Sequence, residues 1–145
     1  RPDSPYAQVV PLFVEALGAG AAPIVHGDGC QIRAFVFVED AVSATLAAAG
    51  APARHCDGHP YNVAGARSVD LLEVLDMLGS ILDVDPRPVH VGSRPGDVRH
   101  TSADISAAAR DLGFEPAVDL EEGLRRTVDW LSGVSGLAQR SAVQS

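Results

Sequence analysis

The chain has 145 residues, 46% of them hydrophobic and 21% charged, with a formal net charge of −8. That is the profile of one soluble globular domain whose core needs neither disulfides nor a metal. All eleven basic residues are arginine, which excludes a Walker-type phosphate loop, a Schiff-base lysine and a lysine that activates a catalytic tyrosine. The acidic balance argues against nucleic acid or an anionic membrane as partner, whereas a few well-placed arginines can still hold a phosphate.

Ser4-Pro5 reads as a helix start that leads into the apolar segment Val9 to Leu17. Pro11 marks its first turn or a kink, and Gly18 and Gly20 end it. Ile24-Val25-His26 is a short apolar piece stopped by Gly27-Asp28-Gly29, and Ala34 to Val38 reads as a buried strand. Glu39 and Asp40 suit the positive end of an alanine-rich helix over about Asp40 to Ala49. Gly50 to Pro60 is a loop, and Tyr61 to Ala64 is a further strand. Ser68 is read as the cap of a helix with Leu71, Leu75, Leu78 and Leu82 on its apolar face, stopped by Pro86. Val89-His90-Val91 comes next as a strand. Asp104 caps a helix that ends at Gly113, and Asp119 with Glu122 forms a capping box for the last helix, Leu120 to about Leu131. The tail from Ser132 is small, polar and expected to fray. Strands alternating with helices predict α/β packing with some parallel strands.

Cys30 and Cys56 lack C-x-x-C spacing, so no disulfide framework or zinc ribbon is indicated and a reduced, cytoplasmic setting is expected. No apolar run approaches the ~18 residues of a membrane helix. The chain starts at Arg1 rather than at a methionine, so residues upstream of it are expected to be missing.

Gly27-Asp28-Gly29 is by itself a turn signal. Arg33 stands at the mouth of the next strand, and Arg94-Pro95-Gly96-Asp97 supplies a second arginine and a carboxylate in a rigid turn. Other pieces accompany them: Ser4-Pro5-Tyr6-Ala7, the G-D-G-x-Q-x-R-x-F-V-x-V-x-D segment from Gly27 to Asp40, Tyr61-Asn62-Val63, Ala103-Asp104-Ile105-Ser106 and Leu112-Gly113-Phe114-Glu115-Pro116. In this order, over residues 2 to 131, the set resembles the C-terminal, substrate-binding portion of NAD-dependent nucleotide-sugar epimerases and dehydratases in the extended short-chain dehydrogenase/reductase superfamily.

The resemblance implies an α/β fold of small, partly parallel strands packed with about five helices. Residues 1–131 would form the nucleotide-sugar-binding portion and residues 132–145 a frayed tail. Arg33 and Arg94 would bracket the diphosphate of a UDP- or dTDP-sugar, and Asp97 would accept from the ribose hydroxyls. Ile24, Val25 and His26 would lie where the base packs. The chemistry suits these roles, since guanidinium forks match diphosphate oxygens bidentately and a carboxylate only accepts. Ala34 stands where the family has an aspartate that can orient the arginine, and His26 replaces a common aromatic residue.

Enzymes of this family bind NAD through a glycine-rich Rossmann turn and use a Tyr-x-x-x-Lys pair. Neither occurs in the 145 residues, so no residue here is assigned as catalytic or cofactor-binding. The expectation is a gripping portion, inactive alone, whose NAD-binding Rossmann domain lies upstream. A homodimer is expected of the complete enzyme only. Two other readings remain: a non-catalytic remnant or interaction module of the same fold, and part of an extended reductase acting on a non-nucleotide carbonyl substrate.

Several residues have simpler roles. His55, Cys56 and His59 sit in a polar loop and do not make a convincing zinc site. Tyr6 and Tyr61 read as packing residues, Trp130 as a packing anchor, and Arg125 and Arg126 as surface partners of Glu121 and Glu122. Arg99 is read as a salt-bridge former in preference to a ligand contact.

Overall fold

The computed structural model describes residues 9–55, 57–93, 96 and 98–135. In chain order the elements are α1 (Val9–Gly18), β1 (Ile24–His26), β2 (Ile32–Ala34), α2 (Val38–Gly50) and a 3-10 turn at Ala53–His55. They continue with β3 (Ser68–Asp70), α3 (Leu71–Leu82), β4 (Val89–Val91), α4 (Ser106–Leu112) and α5 (Leu120–Ser135). The fold class is α/β, with five α-helices and short strands among the described residues, as the resemblance implies. Contacts divide the chain into two compact units where composition predicts one: residues 1–31, 70–97 and 121–145, and residues 32–69 and 98–120.

In the first unit α1 closes on a Schellman turn. Gly20, at φ 66°, donates to the Leu17 carbonyl, and Ala21 donates to the Ala16 carbonyl at 2.8 Å. Pro11 lies near the start of α1, where a missing N–H costs little. The Ser4-Pro5 helix start lies outside the described residues. α1 packs on α3, and Phe13, Val14, Leu17, Val74, Leu75 and Leu78 are buried.

The cap of α3 is Asp70 rather than Ser68. Its carboxylate accepts from the Glu73 N–H at 2.8 Å, while Ser68 belongs to β3. The buried face is Val74, Leu75, Leu78 and Gly79, with Leu71 and Leu82 at its margins. A Cβ on Gly79 would come within 2.7 Å of the Pro86 ring, so glycine lets the chain fold back closely after the helix. β1 and β4 pair in parallel, with Ile24, Val25 and His26 opposite Val89, His90 and Val91. α5 buries Leu124, Val128 and Leu131, spaced for one helical face. The helix continues through Ser135, beyond the predicted fraying point at Ser132, and residues 136–145 lie outside the described residues. Trp130 is not a packing anchor. It is 62% exposed because it falls one position off the buried stripe.

In the second unit the strand predicted over Ala34 to Val38 lies earlier, at Ile32–Ala34, and pairs with β3. The Phe37 carbonyl accepts from Ala41, so α2 begins at Val38 and leaves that valine 65% exposed. Tyr61 to Ala64 forms no strand ladder, and its half-buried Tyr61 and Val63 pack against Ala44, Ala108 and Phe114. The Tyr61 hydroxyl donates to the His55 carbonyl at 2.7 Å, in keeping with a packing role. Asp104 accepts from the Ser106 N–H at 2.9 Å ahead of α4, and the Ser106 hydrogen bonds hold its carboxyl below the usual range. Gly113, at φ 65°, ends α4.

Asp40 plays a larger part than complementing a helix dipole. It is 3% exposed, and its two carboxylate oxygens accept from the N–H groups of Ala117 at 3.0 Å and Val118 at 3.2 Å. A buried carboxylate is tolerated when its lone pairs are satisfied, and here it fastens the chain before α5 to the start of α2. Asp40→Ala should therefore cost about 2–4 kcal/mol, because two backbone donors lose a charged acceptor. A urea titration of the complete protein should give a lower midpoint, whereas Asp76→Ala on the exposed face of α3 should leave the stability within about 0.5 kcal/mol of the wild type.

Candidate functional site

The turn after β1 is built on two left-handed glycines, Gly27 at φ 72° and Gly29 at φ 78°. Asp28 closes it by accepting from the Cys30 N–H at 3.0 Å. A Cβ on Gly29 would lie 2.7 Å from two Leu72 carbons, so this glycine is required both by conformation and by the approach of α3. Its carbonyl accepts from Leu71 N–H at 3.1 Å.

The residues predicted to meet the base differ in accessibility. Ile24 is 59% exposed, and Val25 is 1% exposed and belongs to the core, so only its backbone can face a ligand. His26 is half-buried, and its Nδ1 lies 3.2 Å from the Gly92 carbonyl. The His26 carbonyl accepts from the Gln31 amide at 2.6 Å, which fixes the turn from within.

Arg33 belongs to the second unit and is half-buried. Its Nη1 donates to the Ile32 carbonyl at 2.9 Å and to the Val98 carbonyl at 2.6 Å. Beside Ala34, these two backbone carbonyls hold one arm of the guanidinium. The same region carries a short parallel pairing: Ile32 donates to the Arg99 carbonyl at 2.9 Å, and Thr101 donates to the Ile32 carbonyl at 3.0 Å. The Q-x-R-x-F segment is thus bonded to the chain directly after Arg94-Pro95-Gly96-Asp97. Within that turn Gly96 has φ 84°, while Arg94, Pro95 and Asp97 lie outside the described residues. Arg99 contributes its carbonyl to the pairing.

The remaining sequence candidates are engaged locally. His55 lies 3.8 Å from Asp111, whose carboxyl is held below the usual range first of all by the hydrogen bond from Arg110. His59 bonds to Asp57, and Cys56 lies outside the described residues. Arg125 and Arg126 pair with Glu121 at 2.9 Å and Glu122 at 2.7 Å, as their spacing predicts. Sequence reasoning does not single out His90. Its Nδ1 lies 2.9 Å from the Gly27 carbonyl, a contact that depends on the β1–β4 pairing and has no local sequence signal.

Residues 1–64 match the NAD dependent epimerase/dehydratase family. The dTDP-glucose 4,6-dehydratase of Xanthomonas campestris pv. campestris is 34% identical over 135 residues, covering 85% of this chain and 37% of that protein. The chain belongs to the NAD-dependent epimerase/dehydratase family. In three dimensions it is similar to the UDP-glucose 4-epimerase of Thermotoga maritima solved with UDP-glucose, at TM-score 0.83 and 34% identity, over 91% of this chain and 42% of that one. It is also similar to a Bacillus cereus UDP-glucuronic acid 4-epimerase solved with UDP-4-deoxy-4-fluoro-glucuronic acid and NAD. That match has TM-score 0.85 and 27% identity, over 92% of this chain and 41% of that one. The fold is that of the extended short-chain dehydrogenase/reductase epimerases. The chain spans about two fifths of the length of the relatives it matches.

If the two carbonyls orient Arg33, Arg33→Met should release the 98–101 segment and leave the rest of the second unit intact. Hydrogen exchange should quicken at the Ile32 and Thr101 amides, with a stability loss on the order of 1 kcal/mol. Unchanged exchange at both amides would remove that role.

Proposed function

We propose that this chain binds the nucleoside-diphosphate handle of a UDP- or dTDP-sugar as part of an NAD-dependent epimerase or dehydratase. The observation that carries the reading is the bond from Arg33 to the Val98 carbonyl, which ties the Q-x-R-x-F segment to the residue next to Asp97. Family membership and the ordered motif set support it. Arg33 and Arg94 supply guanidinium forks for phosphate oxygens, and Asp97 accepts from the ribose hydroxyls. Ile24, the backbone of Val25, and His26 flank the base. The chain's contribution to the reaction is positioning, since a held diphosphate fixes the sugar relative to the reacting groups.

These 145 residues do not fit the dinucleotide. A nicotinamide-binding turn needs a strand, a glycine-rich turn and then a helix whose N-terminus meets the pyrophosphate. Here the turn after β1 leads to β2, a strand, and no Tyr-x-x-x-Lys pair occurs. On this reading NAD and the acid/base chemistry come from residues outside this sequence, and the 145 residues alone are expected to turn over no sugar nucleotide. Among the described residues no helix is long and apolar enough to cross a membrane. With its unpaired cysteine spacing, the chain fits a cytoplasmic enzyme.

Arg94→Ala in the complete protein should weaken binding of UDP-glucose or dTDP-glucose, whichever is bound by the wild type, by roughly tenfold or more, the size expected for a charge-assisted contact. Isothermal titration calorimetry measures this directly, and unchanged affinity would remove the assignment.

A further inference from the structure

Beyond this ligand reading, and resting on it, we propose that His90 is a positioning residue for nucleotide binding, because it clasps the end of β1 to β4 and so sets the Gly27-Asp28-Gly29 turn at the β1 exit. β1 and β4 run in parallel, so both strands end at the same edge of the pair. Each strand leads at once into glycine, Gly27 after His26 and Gly92 after Val91. Glycine is the residue whose backbone is costliest to fix, so both exits need an outside constraint.

Two histidines supply that constraint reciprocally. His90 of β4 meets the Gly27 carbonyl at 2.9 Å, and His26 of β1 meets the Gly92 carbonyl at 3.2 Å. Their register partners differ, buried Val25 for His90 and exposed Val91 for His26, so the imidazoles leave the strand pair on opposite faces. A carbonyl oxygen can only accept, so each of these hydrogen bonds requires the ring proton on Nδ1. The Gly27 N–H also donates to the Val91 carbonyl at 2.9 Å, so both polar groups of that glycine are held by β4.

The clasped glycines lead directly into the candidate site. Gly27 opens the Gly27-Asp28-Gly29 turn on the way to Arg33, and Gly92 stands two residues before Arg94. Holding the exits before ligand arrives lowers the ordering cost of binding, which is how a residue that need not touch the nucleotide can set its affinity.

The test uses the complete protein with UDP and dTDP as probes, and then calorimetry with the tighter of the two. His90→Ala should weaken binding about fivefold, the loss of one neutral hydrogen bond. His90→Asn should restore most of the affinity, since its amide nitrogen occupies the Nδ1 position, whereas His90→Gln, which mimics Nε2, should not. Nitrogen-15 NMR of the wild-type protein should show His90 as the Nδ1–H tautomer, a signature that a purely space-filling role would not produce and one that survives if His90→Ala fails to fold. Wild-type affinity in His90→Ala, equal rescue by glutamine, or an Nε2–H tautomer would each overturn the inference. Unchanged binding in Arg94→Ala would instead overturn the ligand reading itself, and a wild type that binds neither probe would overturn both.

Discussion

The parallel pairing of β1 with β4 is the constraint on which the turns leaving the first unit's strands depend. Parallel strands point their carboxyl ends the same way, and in α/β folds the chain beyond those ends is where ligands are met. Had these strands paired antiparallel, the Gly27-Asp28-Gly29 turn and the chain running into Arg94 would leave from opposite ends. The pairing is short, only three residues a side, so it relies on what packs beneath it. Buried Val25 anchors β1 in the core, and the absence of a Gly29 side chain lets the turn settle on Leu72.

The second unit is organised around charge as well as packing. Asp40 is buried yet fully employed by two backbone donors, and Arg33 is oriented by two backbone carbonyls. In both cases a charged group is held by hydrogen bonds to main chain. Backbone groups cannot be titrated or swung aside like a surface carboxylate, so this suits a guanidinium that must present a fixed fork to a phosphate. It also accounts for how Arg33 keeps a defined position beside Ala34.

Much of this is legible in the chain. Helices with a clear apolar stripe or stop signal, such as α3 and α5, obey their periodicity, and the i,i+4 pairs of Arg125 and Arg126 form as their spacing requires. Sequence and structure part where tertiary contacts outvote local propensity. The apolar run around Val36 and Val38 looks like a buried strand, but the Phe37 carbonyl starts a helix there and leaves both valines exposed. Ser68 has the chemistry of a cap, and so does Asp70 two residues later. Both lie in β3, but only Asp70, its last residue, stands directly before Leu71 and can cap the helix. The division into two units, each assembled from separated stretches, has no compositional boundary to announce it. At the site, Arg33 is legible from its motif, whereas the carbonyl of Val98 and the ring of His90 depend on pairings that no local pattern encodes.

A chain without lysine can still hold a phosphate. Arginine is the better residue for two-point recognition of a diphosphate, and the one arginine of the candidate pair that the structure describes is fixed by main chain. The most direct test of the gripping role is hydrogen exchange on the complete protein with and without UDP-glucose or dTDP-glucose, using the one it binds. The account predicts ligand-dependent protection in two stretches, residues 24–33 and 92–101, and little change in α5. Protection confined to other parts of the protein, with both stretches exchanging as they do without ligand, would contradict it.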